Sequence, residues 1–216
     1  MVVDFAKVSV QEQPLLILQN LDDTPVGVLK AAFNVEADLC YNEISTLTFD
    51  LPAFLDGKKT ANYSKTVGMR IVELKNYGRF ILIDPKITDD GTKEIKACTA
   101  YSLEYEFTFK KLPLVAGTYN LWNQFAPKGT ILGLIIELMP SWRVGQVDDS
   151  LIDRYRTFDD SGDQNIYNFM KSDLQESYGC IFTFDTYERL IHVRDIKTQD
   201  TIKPVYFSME NFIKKV

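Results

Sequence analysis

His192 is the single histidine of this 216-residue chain, so any catalytic arrangement that needs an imidazole must use it. Serine and cysteine nucleophiles are commonly activated by a neighbouring histidine. Here the histidine stands between Ile191 and Val193 in an alternating run. Such a run predicts a strand with the imidazole on the face opposite its two neighbours. We therefore interpret His192 as a structural or surface residue and predict no catalytic residue.

Acidic residues cluster in the second half of the chain: Asp148-Asp149, Asp159-Asp160 and Asp163. Paired carboxylates can hold a divalent cation or serve a glycosidase. Counted from Asp159 as a calcium loop, however, Gln164 occupies the glycine position and Met170 the glutamate position. Adjacent aspartates beside serine or glycine are typical of turns and helix starts. We predict no metal site in this part of the chain.

A phosphate-binding loop and a cysteine site are also poorly supported. Gly57-Lys58-Lys59-Thr60 is similar to the end of a P-loop, but Pro52 replaces its earlier glycine and Lys59 its Ser or Thr. The three cysteines, Cys40, Cys98 and Cys180, are scattered without C-x-x-C spacing. We expect buried free thiols, and no cofactor.

Two tryptophans could stack on sugar rings. Trp122 lies near Leu121 and Phe125, and Trp142 lies near Met139 and Val144. Apolar neighbours of this kind favour packing in a core, so carbohydrate binding stays an alternative for both.

Composition and charge exclude several classes of function. The chain is 45% hydrophobic and 25% charged, with a net charge of −6, which is typical of a folded acidic protein. An acidic surface repels nucleic acid and anionic membranes, and we interpret Lys58-Lys59 and Lys110-Lys111 as solvated ends of loops or strands. The start of the chain shows no secretory signal, so we expect it to remain in the cytosol or to leave by lysis.

Hydrophobic periodicity predicts a β-rich α+β fold with antiparallel barrel or sandwich modules and two or three helices. Alternation predicts strands through residues 15–19, 34–41, 46–51, 69–74, 79–84, 86–88 and 94–99. Residues 100–107 fit either a short helix or a strand. We place a β-rich domain at residues 1–105 and an α+β domain at 106–216.

The second domain is predicted to contain two helices and a hairpin. Thr130 is a suitable N-cap for a helix near residues 130–139. A second helix is predicted near residues 163–178, with an apolar stripe and Gly179 just beyond its end. A hairpin is expected at residues 181–194.

Several runs, in this order, resemble the sequences of one known protein family. In the second half they are Pro140–Asp148, Arg156–Asp159, Asn165–Tyr167, Tyr178–Thr186 and Arg189–Val193. In the first half they are Val26–Leu29 and Leu47–Pro52, followed by a hairpin on the scale of Met69–Asp84. The chain thus resembles the N-terminal region of the prophage endopeptidase-tail family, whose members are minor structural proteins and tail hubs.

This resemblance implies a structural protein of the virion tail, made in the bacterial cytoplasm. Such hubs are trimers that close the tail tube and join it and the distal tail protein to a spike, fibre or lytic part. A homotrimer is therefore expected, with DNA only as passing cargo and no membrane binding. Two alternatives stay open: a host-surface carbohydrate adhesin, and part of a tail-associated cell-wall hydrolase or endopeptidase.

Overall fold

The computed structural model describes residues 15–159 and 164–197. The chain divides into two compact units after Phe109, and Asp185–Arg189 groups with the first unit. The described residues confirm a β-rich α+β fold, with fourteen strands and a few short helices.

The first unit is a sheet structure. Its described strands are β1 (Leu16–Gln19), β2 (Pro25–Val28), β3 (Phe33–Asp38), β4 (Thr46–Pro52), β5 (Phe54–Leu55), β6 (Lys58–Lys59), β7 (Ile71–Leu74), β8 (Gly78–Asp89) and β9 (Glu94–Ser102). Seven of them form one sheet in the order β2-β1-β7-β8-β9-β4-β3, and β5 and β6 pair separately. Neighbouring strands in both sheets run antiparallel.

The large sheet is strongly curled. Its edge strands β2 and β3 are separated in sequence by residues 29–32 alone. A segment from residue 28 to residue 33 spans at most about 17 Å, so the two edges must approach each other. They are not hydrogen-bonded to one another among the described residues. The predicted barrel is therefore an open, curled sheet.

Alternation along the strands explains the core of this unit. In β4, Leu47, Phe49 and Leu51 are buried, while the residues between them are partly exposed. Their inward side chains join a cluster that includes Leu16, Leu18, Val72, Phe80, Leu82 and Ala100. Burial of these apolar surfaces stabilises the sheet on one face.

Strand β8 differs from the sequence prediction. Periodicity predicts separate strands at residues 79–84 and 86–88, but these residues form one strand that bends at a bulge between Ile83 and Lys86. Pro85 lies within this bulge. Since proline has no N–H to donate, it is tolerated in a strand where the ladder is already interrupted.

The second unit combines five strands with helices. Its strands are β10 (Gly117–Asn120), β11 (Arg143–Val147), β12 (Tyr155–Phe158), β13 (Cys180–Asp185) and β14 (Leu190–Asp195). β10 pairs with β12, and the other three form a sheet in the order β11-β14-β13. β11 and β14 run parallel, an exception to the predicted antiparallel pairing.

The helices of this unit have clear start and stop signals. In α1 (Ile131–Leu138), the Thr130 hydroxyl accepts a hydrogen bond from the Gly133 N–H at 3.0 Å. A second helical segment consists of α2 (Ile166–Phe169), a π-helical stretch at Met170–Leu174 and α3 (Gln175–Tyr178). Gly179 ends it in the left-handed conformation, with φ of 64°. The predicted start of this second helix, residue 163, lies outside the described residues. Among the described residues, no helix is long and apolar enough to cross a bilayer.

Candidate functional site

His192 supports the local geometry of the sheet. It lies on β14 opposite the buried Ile191 and Val193, as predicted. Its Nδ1 accepts a hydrogen bond from the backbone N–H of Gln146 at 2.9 Å. The register between β11 and β14 shifts between Val144 and Val147. The imidazole therefore accepts the Gln146 N–H in place of a backbone carbonyl of the neighbouring strand. Gly145 is required beside it, because a Cβ there would lie 2.7 Å from His192 Cε1.

Replacing His192 by Ala is expected to lower the free energy of unfolding by about 1 kcal/mol, because the Gln146 N–H loses its partner. His192→Asn is the matched control, since its Oδ1 can accept the same hydrogen bond. Urea unfolding of the three proteins measures the difference. If Asn destabilises the protein as much as Ala does, the hydrogen bond is not the function of this side chain.

The described members of the acidic clusters are engaged in local structure. Asp148 Oδ2 accepts the backbone N–H of Asp195 at 2.8 Å. Asp149 opens a short 3₁₀ turn, Asp149–Leu151. Asp160 and Asp163 lie outside the described residues, and the described ones contain no group of three or more potential metal ligands among His, Cys, Asp and Glu.

The two tryptophans have different environments. Trp142 is 1% exposed, and its ring contacts Phe184 edge to face with centroids 5.8 Å apart. It is part of the core and cannot stack on a sugar. Trp122 is half-buried, and its carbonyl accepts the N–H of Asp153. The adhesin interpretation therefore loses one of its two tryptophans.

The segment compared with a P-loop is an exposed hairpin. Phe54-Leu55 pairs with Lys58-Lys59, and the connecting Asp56 and Gly57 have φ of 51° and 73°. Two consecutive positive φ values are typical of a tight two-residue hairpin turn. Phe54 is 62% exposed.

Two adjoining hollows of about 660 and 600 Å³ lie against this hairpin. Their walls come from residues 28–33, 52–61 and 92–95, and both include Ala31 and Leu55. We call this surface the lysine groove. Its lining combines exposed apolar side chains with four exposed lysines and two carboxylates: Lys30, Lys58, Lys59, Lys93, Asp56 and Glu94. None of the four lysines forms an ion pair with a described carboxylate.

A buried lysine anchors one wall of the groove. Lys96 Nζ donates to the carbonyls of Tyr63 and Thr66, each at 2.8 Å, and lies 4.3 Å from the centre of the Tyr63 ring. Burial lowers the pKa of Lys96. The Tyr63 hydroxyl donates to Glu94 at 2.6 Å. These bonds fix residues 63–66 against β9, so the wall beside Glu94 is firmly held.

A second surface lies at the opposite end of β3. Leu39 and Tyr41 are 50% and 68% exposed, and the exposed carboxylates Glu36, Asp38 and Glu43 flank them. We call residues 36–43 the acidic tip. Sequence alternation predicts a buried face for the apolar residues of this segment, and the structure corrects this, because no described part of the chain covers them.

The cysteines correct the sequence prediction at one position. Cys98 and Cys180 are buried free thiols, as expected, whereas Cys40 is exposed on the acidic tip. Its exposure has the same cause as that of its neighbours Leu39 and Tyr41: the end of β3 extends beyond the part of the sheet that the described residues cover.

Comparisons with known proteins support the fold. No family model and no curated protein matches the chain. The crystal structure of prophage tail protein gp18 from Listeria monocytogenes is similar, with a TM-score of 0.61, 13% identity and coverage of 85% of this chain and 51% of that one. The 43 kDa tail protein of prophage MuSo2 from Shewanella oneidensis is similar with a TM-score of 0.55 and 10% identity, and the match covers 83% of this chain and 53% of that one. A tail protein from Neisseria meningitidis matches with a TM-score of 0.49 and 8% identity, over 83% of this chain and 49% of that one.

The chain thus spans about half the length of the solved proteins it resembles. At this level of identity the likeness establishes a fold shared with phage tail proteins. The resemblance to tail proteins is confirmed at the level of fold, while the endopeptidase-tail family is not among the matches.

Sequence reasoning missed both exposed surfaces. The Lys58-Lys59 pair suggests a solvated strand end when only the sequence is considered, although it belongs to the lysine groove. The available signal was Asp56-Gly57 between two short runs, since Asp-Gly strongly favours a tight hairpin. For the acidic tip, the available signal was the alternation of Ala37 and Leu39 with the carboxylates Glu36 and Asp38.

Proposed function

We propose that this chain is a structural component of a bacteriophage or prophage tail tip. In this role it acts as a hub that closes the tail tube and connects it to spike, fibre or lytic parts. The observation that carries the proposal is the fold likeness to a prophage tail protein over 85% of this chain. The order of the sequence runs that resemble tail hubs supports it independently.

The proposed partners follow from this role. Copies of the chain would associate as a homotrimer, and the assembly would contact the distal tail protein, the tail tube and fibre or spike proteins. Closed rotational symmetry lets one interface repeat into a ring. DNA would only pass through, since an acidic lumen would repel its phosphates.

We propose a non-enzymatic role for this region. His192 is hydrogen-bonded to β11, and Trp142 is buried, which supports neither a hydrolase nor a two-tryptophan sugar site. Unchanged particle infectivity in His192→Ala would remove the catalytic alternative, provided the variant still folds.

Immunogold electron microscopy of induced particles tests the tail role directly. An antibody against this chain should label one end of the tail, and particles from a strain lacking the gene should lack the label and show defective tail tips. Intact, infectious particles without the protein would sink the proposal. A matched strain complemented with the wild-type gene controls for polar effects on neighbouring genes.

A further inference from the structure

The acidic tip is an apolar surface without a cover in the described chain. β3 is the edge strand of the curled sheet, and Ala37, Leu39 and Tyr41 continue its alternating apolar pattern into solvent. Tyr41, at 68% exposure, is among the most exposed large side chains described. Exposed apolar residues grouped in this way mark interaction sites.

Protection of the edge strand explains only part of this pattern. Charged residues on an edge strand prevent unwanted strand pairing, which accounts for Glu36 and Asp38. It does not account for Leu39 and Tyr41, which increase the apolar surface at the same edge. A binding partner explains both the apolar residues and the flanking charges.

The lysine groove and the acidic tip carry opposite excess charges, and both expose apolar side chains. The groove is a hollow lined by apolar side chains, by four lysines and by the two carboxylates Asp56 and Glu94, so positive charge is in excess. The tip carries two exposed apolar side chains and three carboxylates. Complementary potentials of this kind steer association and fix its register. The protein as a whole carries a net charge of −6, so a surface lined by more lysines than carboxylates differs from its overall charge.

Both surfaces belong to one chain, yet they cannot meet within it. The groove includes Phe33, the first residue of β3, and Leu39 and Tyr41 of the tip lie beyond Asp38, the last residue of that strand. A strand of this length holds its ends about 17 Å apart. Contact between them therefore requires two copies.

From this arrangement we infer that copies of this chain associate head to tail, with the acidic tip of one inserted into the lysine groove of the next. Leu39 and Tyr41 contact the apolar lining formed by Phe33, Phe54 and Leu55. Asp38 and Glu43 pair with Lys58 and Lys59. Such a heterologous contact forms a ring when its rotation closes. The inference rests on the proposed tail role and deepens it, because it supplies the repeating interface that a hub requires.

Charge reversal and its rescue test the contact. Lys58→Glu combined with Lys59→Glu should weaken self-association about tenfold or more, because like charges then face each other. Lys65→Glu combined with Lys75→Glu is the matched control: it changes net charge equally at exposed lysines outside the groove. Adding Asp38→Lys and Glu43→Lys to the groove variant should restore association. Sedimentation equilibrium over a dilution series measures each dissociation constant.

Cross-linking from the native thiol gives a second measurement. Cys40 is the exposed one of the three cysteines. With Leu55→Cys in the groove, mild oxidation should yield covalent dimers and larger species on a denaturing gel. Tyr77→Cys places an equally accessible thiol, at a position 62% exposed, away from the groove and should yield few.

Three outcomes would overturn the inference: equal dissociation constants for the groove and control variants, failure of the reversed tip to rescue, or a wild-type chain that stays monomeric at every concentration. Any of these assigns the groove to a different occupant. The proposed tail role is tested separately, by whether the protein is present in particles. Failure of the head-to-tail contact can therefore be told apart from failure of the tail role.

Discussion

Trp142→Ala should lower the free energy of unfolding by about 4 kcal/mol, because it removes a large buried side chain and leaves a cavity that the surroundings fill only in part. The ring is fully enclosed and packs edge to face against Phe184. Urea unfolding followed by far-ultraviolet circular dichroism measures the loss without relying on tryptophan fluorescence.

Trp122→Ala provides the matched control in the same unit. Because Trp122 is only half-buried, its side chain buries less apolar surface in the folded protein. We therefore expect Trp122→Ala to lower the free energy of unfolding by about half as much as Trp142→Ala. Trp142→Phe should fall between wild type and Trp142→Ala. Equal losses for the two alanine variants would contradict the different burial of the two rings. A loss under about 1 kcal/mol for Trp142→Ala would show that the ring is not part of the core.

The helices and several strands could be predicted because their signals are local. Thr130 is followed by apolar residues at helical spacing, and its hydroxyl caps α1. Gly179 allows the positive φ that ends the second helical segment. Leu47 and Phe49 alternate with polar residues because β4 has one buried face. In each case, neighbours within a few residues determine the backbone conformation.

The parallel pairing of β11 with β14 could not be predicted in this way. Its partners, such as Val144 and Ile191, are far apart in sequence, and no short-range period records which strands become neighbours. The same limit hid the relation between Gly145 and His192, whose contact exists only once the register is fixed. Long-range register is a property of the whole sheet.

Alternation at β3 was informative about conformation and uninformative about burial. The pattern through Tyr41 correctly indicates an extended strand in its first part, but it cannot say what covers the apolar face. In this chain the described residues cover Val35 in part and leave Leu39 exposed. A sequence pattern reports that a face needs a partner, and the partner can be another molecule. The acidic tip is the place in the first unit where the apolar alternation continues and the expected burial does not.

A further group in the second unit has a large expected effect on stability. Asp195 is 2% exposed, and its carboxylate accepts hydrogen bonds from the Ser150 hydroxyl at 2.6 Å and from Arg154 Nη2 at 3.0 Å. Arg154 also donates to the carbonyl of Tyr178 at 2.7 Å. The carboxylate thus ties the end of β14 to the residues before β12 and, through Arg154, to the end of α3.

These contacts hold the pKa of Asp195 below its ordinary value of 3.8, with the Ser150 hydroxyl as the largest cause and the backbone N–H of Lys197 and the Arg154 guanidinium contributing. Because the folded-state pKa is depressed, the unfolded chain takes up this proton first as the solution is acidified. The stabilisation is therefore fully present above the unfolded-state pKa and is lost as pH falls through the folded-state pKa.

Asp195→Asn is expected to lower the free energy of unfolding by about 3 kcal/mol at pH 7, because it leaves the Arg154 guanidinium partly buried without its carboxylate. The variant should also lose less stability than wild type between about pH 5 and pH 3, since it lacks the group that titrates there. Asp149→Asn, at an exposed neighbouring position, should stay within about 0.5 kcal/mol of wild type. Urea unfolding at several pH values measures all three proteins. Parallel pH dependences for wild type and Asp195→Asn would show that Asp195 does not carry the acid sensitivity, and the hydrogen bonds from Ser150 and Arg154 would then have to be weaker than their geometry implies.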